Sequence, residues 1–311
     1  MFQAGKRSFR IAASLLAAGA LALASPGTAS ATSAHHSASH PHKTHASKTQ
    51  VISVTMTAAG FKLPSSIHAG YVTFKVGSPD AGSHGLQGLS VKKGHTLAQV
   101  IYDYQLGISD DRMENAEGAR NLVRDAVLVG GVVTNAYAPI SVTIPLEAGT
   151  YYFFDINEIA LPGSPPPRMH KLRVHGAMNH GSLPRFDSVL GMIMTDDMPR
   201  FSAPSSFDTD RGILVYNNSD EIHEVVWRPV VAGTTDAFLT QYYADFDAGR
   251  PHAPAPWLDT SRGLQAMSPG RYAVLHVTMT DGLYALLCQV PDDMTGIAHS
   301  HMGMHQIVTM H

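Results

Sequence analysis

The chain has 311 residues, 22 Lys+Arg against 25 Asp+Glu, and a single cysteine, Cys288. That balance lacks the basic excess nucleic-acid binding requires, and one cysteine excludes an internal disulfide. A hydrophobic content of 44% over this length is enough for two ordinary cores.

Lys6, Arg7 and Arg10 precede an apolar run from Ile11 to Ala24 and then small residues, the pattern of a secretory signal peptide over residues 1–31. The Ala29-Ser30-Ala31 triplet places cleavage after Ala31, and removal of the three basic residues leaves 19 basic against 25 acidic side chains, net −6. No later segment approaches the roughly 20 apolar residues of a membrane span, so a secreted chain without a transmembrane segment is expected. Residues 32–50 mix Ser, Ala, Thr and Lys with five histidines and carry no apolar periodicity, which predicts a disordered tail. Spaced histidines of this kind suit loose binding of copper, zinc or nickel, and equally make a plain spacer.

From Val51 the vocabulary is that of strands: VISVTMT, YVTFKV, ISVTIPL, TYYFFDI and KLRV alternate between Gly, Pro, Asn and Asp punctuation. Helical patterning is confined to insertions near Thr96–Tyr104, Arg112–Val127 and Thr235–Phe246. An internal repeat organises the whole. Gly130 and Gly149 are 19 apart and lead into GTYYFFD, ending at Asp155; Gly263 and Gly282 are 19 apart and lead into GLYALLC, ending at Cys288. In the same order, the segment around His84 matches that around His223, and MHKLRV from Met169 matches MHQIVTM from Met304. Two copies of one all-β unit are predicted, over 51–176 and 200–311, joined by a linker over 177–199 and each packed as a sandwich of two sheets.

A soft metal such as copper favours a thiolate, imidazoles and a weak thioether, and two histidines and a cysteine in a plane with a long axial methionine suit electron transfer. GLYALLC reads as a buried strand and QIVTM as the next one. The loop between them, PDDMTGIAHSHMGM, brings a cysteine, histidines and methionines within one turn of chain. His223 follows the Asn217-Asn218-Ser219-Asp220 turn signal and opens the apolar run VVW, at the rim of another strand. Taken singly, Cys288 reads equally as a small buried hydrophobe, His223 as a capping or surface residue and Met304 as core.

Together, Gly282, Tyr284, Cys288, Pro291, Asp292, Gly296, His299, Gly303 and Met304 resemble the cupredoxin family, in secreted proteins ending in G-x-Y-x-x-x-C, P-D, G and H-x-x-x-G-M. The resemblance covers mainly 211–311. It implies tandem cupredoxin-like Greek-key β-sandwiches, the second holding one type 1 copper ion through His223, Cys288, His299 and axial Met304. Ten residues separate Cys288 from His299, longer than in small blue copper proteins and closer to nitrite reductases; His301 and Met302 are rival ligands in that loop. In the first copy Asp155 takes the cysteine position and residues 156–168 hold no histidine, so that copy should be copper-free, with His84 and Met169 as remnants, and should shield or orient the other copy. His84, His170 and His175 have no thiolate nearby in sequence and are expected to be structural.

The expected function is one-electron transfer without catalysis, with an unidentified redox partner protein or copper donor. Multicopper oxidases and two-copper nitrite reductases place histidine beside the cysteine, whereas Leu287 and Gln289 flank Cys288. Two alternatives stand: Cu(I) binding and delivery by the late cluster of Met294, Met302, Met304 and Met310 among His299, His301, His305 and His311, or a metal-free interaction module.

Overall fold

Alternation becomes a half-buried strand wherever one face meets a core. In β2 (Ser66–Gly77) Val72, Phe74 and Val76 point inward, while Lys75 between them is exposed. The computed structural model describes residues 49–311 except 137, 138, 180, 197, 209, 210 and 260. The expected signal peptide, its cleavage after Ala31 and nearly all of the tail over 32–50 lie outside the described residues.

The first copy contains β1 (Gln50–Thr55), β2, β3 (His84–Val91), α1 (Leu97–Leu106), α2 (Arg112–Asp125), β4 (Ala126–Thr134), β5 (Ile140–Leu146), β6 (Gly149–Asp155) and β7 (His170–Asn179). Then follow β8 (Ser188–Thr195), β9 (Met198–Ser202), β10 (Ser206–Phe207), β11 (Ile213–Asn218), β12 (His223–Pro229), α3 (Asp236–Asp247), β13 (Arg262–Met267), β14 (Tyr272–Val277), β15 (Gly282–Leu287) and β16 (His305–Met310). The all-β sandwich with helical insertions is as expected.

The three helices begin where their caps say they should. Thr96 and Gln99 form a reciprocal capping box, and Asp111 and Thr235 accept from the first free amides of α2 and α3. The insertions cover outer faces of the sheets: α1 and α2 pack on Leu89, Leu128 and Phe154 together with Ile222 and Ala266 of the second copy, and α3 packs on Val226, Ala285 and Leu287.

The duplication is visible in the ladders. In the first copy β1 runs parallel to the second part of β2, whose first part runs parallel to β7. In the second, β8 runs parallel to β11, and β10 runs parallel to β16. The strand that β2 makes in one piece is thus split into β10 and β11, and β8 is the counterpart of β1. Residues 188–199 therefore belong to the second sandwich, a correction to the linker expected over 177–199. Leu190 and Met192 are fully buried there, an apolar burial no free linker could keep.

The copies are fused through their sheets. Equivalent strands β4 and β13 pair antiparallel, as do β5 and β14, so each sheet runs from one copy into the other. The described residues fall within one compact unit, with one central core containing Phe74, Phe153, Trp227, Leu275, Leu286, Cys288 and Met304.

The repeat needs one correction of register. A Cβ on Gly131 would stand 1.7 Å from the Leu86 carbonyl oxygen, and one on Gly263 would stand 2.3 Å from the Val225 carbonyl oxygen. Both glycines hold φ near +150°, which favours glycine. Leu86 and Val225 are equivalent, so Gly131 rather than Gly130 corresponds to Gly263.

Candidate metal centre

The site is assembled where β12 begins and β15 ends. The turn before β12 is tied by buried Asn217, which donates to the Glu221 carbonyl (2.8 Å) and the Met267 carbonyl (2.9 Å). A bulge between His223 and Val225 follows, and the Glu224 amide faces the Cys288 sulfur at 3.5 Å. Turn and bulge together aim His223 inward, at the cysteine that closes β15.

The long loop from Cys288 to Met304 is braced by its own backbone. The amides of His299 and Ser300 donate to the carbonyls of Val290 (3.0 Å) and Cys288 (2.8 Å), and the Met304 amide donates to the His299 carbonyl (2.8 Å). Its extra length is taken up by a turn around Asp292, whose carboxylate accepts from the Thr295 amide and hydroxyl, both at 2.6 Å.

His223, Cys288 and His299 come together as a buried trio. The two Nδ1 atoms are 3.0 Å apart, and the Cys288 sulfur lies 3.8 Å from that of His223 and 3.5 Å from that of His299. An in-plane point equidistant from the three atoms lies about 2.0 Å from each, close to metal–imidazole and metal–thiolate bonds of about 2.0 to 2.3 Å. The donor set therefore fits a soft or borderline ion without rearrangement. Met304 is fully buried in the same core and is joined to the trio by its backbone: its carbonyl faces the Cys288 amide at 3.4 Å.

The electrostatics of the pocket favour neutral donors. Burial, assisted by the neighbouring His299, pulls the His223 pKa down to about 2. Burial, with the charges of Glu224 and Glu221, pushes the Cys288 thiol up. An entering cation would displace the thiol proton and find the His223 imidazole neutral. His299 Nε2 meets the Glu221 carboxylate at 2.6 Å, which assigns the proton to Nε2 and leaves the Nδ1 lone pair facing the centre.

The rival donors are turned to other tasks. His301 Nδ1 is held by Asp247 on α3 at 3.1 Å, with its ring stacked 4.2 Å from that of Tyr243. The Met302 sulfur lies 3.7 Å from the Thr295 hydroxyl oxygen, whose proton goes to Asp292. In the first copy His84 Nδ1 lies 2.6 Å from Asp155, whose other oxygen accepts from the Gly85 amide at 2.9 Å.

Sequence reasoning missed three supports of the loop. Glu221 stands two residues before His223, a spacing visible in the sequence but open to many readings. Arg200 on β9 donates to the Met302 carbonyl at 2.9 Å, from the first residue of the span read as the second copy. Helix α2 of the first copy lies directly on the loop: Arg120 donates to the Asp293 carbonyl, and a Cβ on Gly296 would stand 1.7 Å from the Arg112 carbonyl oxygen. Arg112 also pairs with Asp247 at 3.1 Å, linking α2 to α3 and, through Asp247, to His301.

No protein-family model and no curated protein matches the chain. Among solved structures, it is similar to auracyanin A, a blue copper protein of Chloroflexus aurantiacus. The identity is 20% and the TM-score 0.28, over 41% of this chain and 100% of that one. The reduced auracyanin of Roseiflexus castenholzii matches at 16% identity and TM-score 0.26, over 40% of this chain and 98% of its own. The blue copper oxidase of Nitrosomonas europaea matches at 11% and 0.23, over 85% of this chain and 86% of its own. At such scores the chemistry of the centre follows from its own atoms. Among the described residues no helix is long and apolar enough to cross a membrane. The chain is a duplicated β-sandwich whose second copy carries a buried His–Cys–His cluster, the arrangement that its resemblance to cupredoxins implies.

Proposed function

We propose that the second copy binds one copper ion as a type 1 centre, with His223, Cys288 and His299 in the plane and Met304 as axial donor, and that the protein carries single electrons outside the cell. The observation that carries this is the convergence of a thiol sulfur and two Nδ1 atoms on one point at bonding distance. Bound copper supplies the chemistry, taking up one electron as Cu(II) becomes Cu(I) and returning it in the reverse step.

What the chain contributes is fixed geometry. The backbone bonds among Cys288, Val290, His299, Ser300 and Met304 hold the donors in one arrangement for both oxidation states. The Glu224 amide supports negative charge on the sulfur, and Glu221 orients His299. Trp227, Leu286 and Tyr284 keep the surroundings apolar. With Leu287 and Gln289 beside the cysteine, a carrier is favoured over an oxidase, and its partner is a redox protein or a copper donor. Export rests on the basic and apolar pattern of residues 6–31.

Titration of the purified protein with Cu(II), followed by absorption and spin resonance, tests the reading. One equivalent should produce an intense blue charge-transfer band, absent in Cys288→Ser. Binding of Cu(II) without that band, or no binding, would refute it.

A further inference from the structure

Far from Cys288 in the sequence, two exposed histidines face each other across the ladder of β2 and β7. His68 and His175 are direct register partners in that parallel pair. Their ring centroids are 4.4 Å apart with planes inclined at 47°. The internal standard is His223 and His299, whose Nδ1 atoms converge at the metal centre: there the centroids are 4.5 Å apart and the planes inclined at 60°. The surface pair has nearly the spacing of two imidazoles placed to share an ion.

The backbone holds that pair still. The Gln50 side chain donates to the His68 carbonyl at 2.7 Å and accepts from its amide at 3.2 Å, so strand β1 clasps His68 from one side. On the other side Gly176, at φ +84°, follows His175; a side chain there would come within 3.5 Å of His68 Nδ1. The chain entering β1 also carries His35, His36, His40, His42 and His45.

We propose that His68 and His175 form a second metal site, a surface chelate for a borderline divalent ion such as Cu2+, Zn2+ or Ni2+. With imidazole and water as ligands and no sulfur, such a site stays pale and does not take the electronic character of the buried centre. His175, expected from sequence to be structural, thereby acquires a binding role.

The site is tested with the full mature chain and copper alone as the probe. Beyond any ion held at Cys288, one further equivalent of Cu(II) should give an ordinary, weakly coloured spin-resonance signal with coupling to nitrogen. His68→Ala and His175→Ala should each weaken that equivalent about tenfold or more. His68→Gln should do the same, and none of the three should alter the blue band. The two signals differ, so failure of the Cys288 reading and failure of this one are read separately. Undiminished affinity in all three variants, as for ions held by the histidine-rich tail alone, would overturn the proposal.

Discussion

The two copies put the same backbone to opposite uses. In the second, the amide of the residue after His223 faces the sulfur of Cys288; in the first, the amide of the residue after His84 donates to the carboxylate of Asp155. The strands, the turn before the histidine and the strand end opposite it are shared. In the first copy the imidazole and carboxylate answer each other at 2.6 Å, and Asp80 approaches the second ring nitrogen at 3.2 Å. In the second, one thiol and two imidazoles crowd together with no positive charge between them. A pocket whose imidazole and carboxylate pair with each other offers a metal little, and one whose thiol and Nδ1 atoms converge, with His299 oriented from its far side by Glu221, is suited to holding it.

The largest effect should come from making the second copy imitate the first. Cys288→Asp should abolish the blue band entirely, read by absorption after Cu(II) addition. The converse change should fail: Asp155→Cys should add no second blue equivalent to the one at Cys288, because residues 156–168 offer no histidine to stand where His299 stands. A doubled blue band in Asp155→Cys, or a blue band in the double variant Asp155→Cys/Cys288→Ser, would show that the loop imidazole is dispensable.

Removing the carboxylate from the first copy should cost stability and leave the metal spectrum unchanged. Asp155→Ala strands a buried imidazole and two donors, at about 3 kcal/mol, measurable by denaturant unfolding. Glu221→Gln should lower copper affinity about tenfold to a hundredfold while keeping the blue band, because His299 loses its charged partner but not its place.

The smallest effect concerns the helical covers, which also differ. Asp103 on α1 is buried, and desolvation raises its pKa to about 6 despite the hydrogen bond from Asn121. The unfolded chain releases that proton near the ordinary carboxylate value and the native chain only near 6. Stability should therefore fall by about 1 to 2 kcal/mol as pH rises from about 4 to about 6, then level off. Asp103→Asn should flatten that slope, and thermal unfolding across this range checks it.

Much of this was legible because the signals were local. The helical insertions near Thr96–Tyr104 and Thr235–Phe246 were legible from their patterning, and the strands bearing His223 and Cys288 from alternation and from the repeat. The convergence of His223 with Cys288 and His299 needed the repeat to supply topology. What stayed hidden depends on distant contacts. β8 sits among Gly, Pro and His punctuation and gains its identity only by lying beside β11. The paired glycines 130 and 131 look alike until the Leu86 carbonyl chooses between them. Nothing near Arg112 or Gly296 tells either that it will meet the other.

That last contact governs time as well as place. The three donors have no exposed surface, and α2 of the other copy presses on the loop that covers them. An ion can arrive or depart only during a local opening that lifts the loop from the helix, so both rates scale with how often that opening occurs. Slow loading and long residence are therefore expected, and Gly296→Ala or loss of the Arg112–Asp247 pair should accelerate both, read as the rate at which the blue band grows on Cu(II) addition and fades under a chelator.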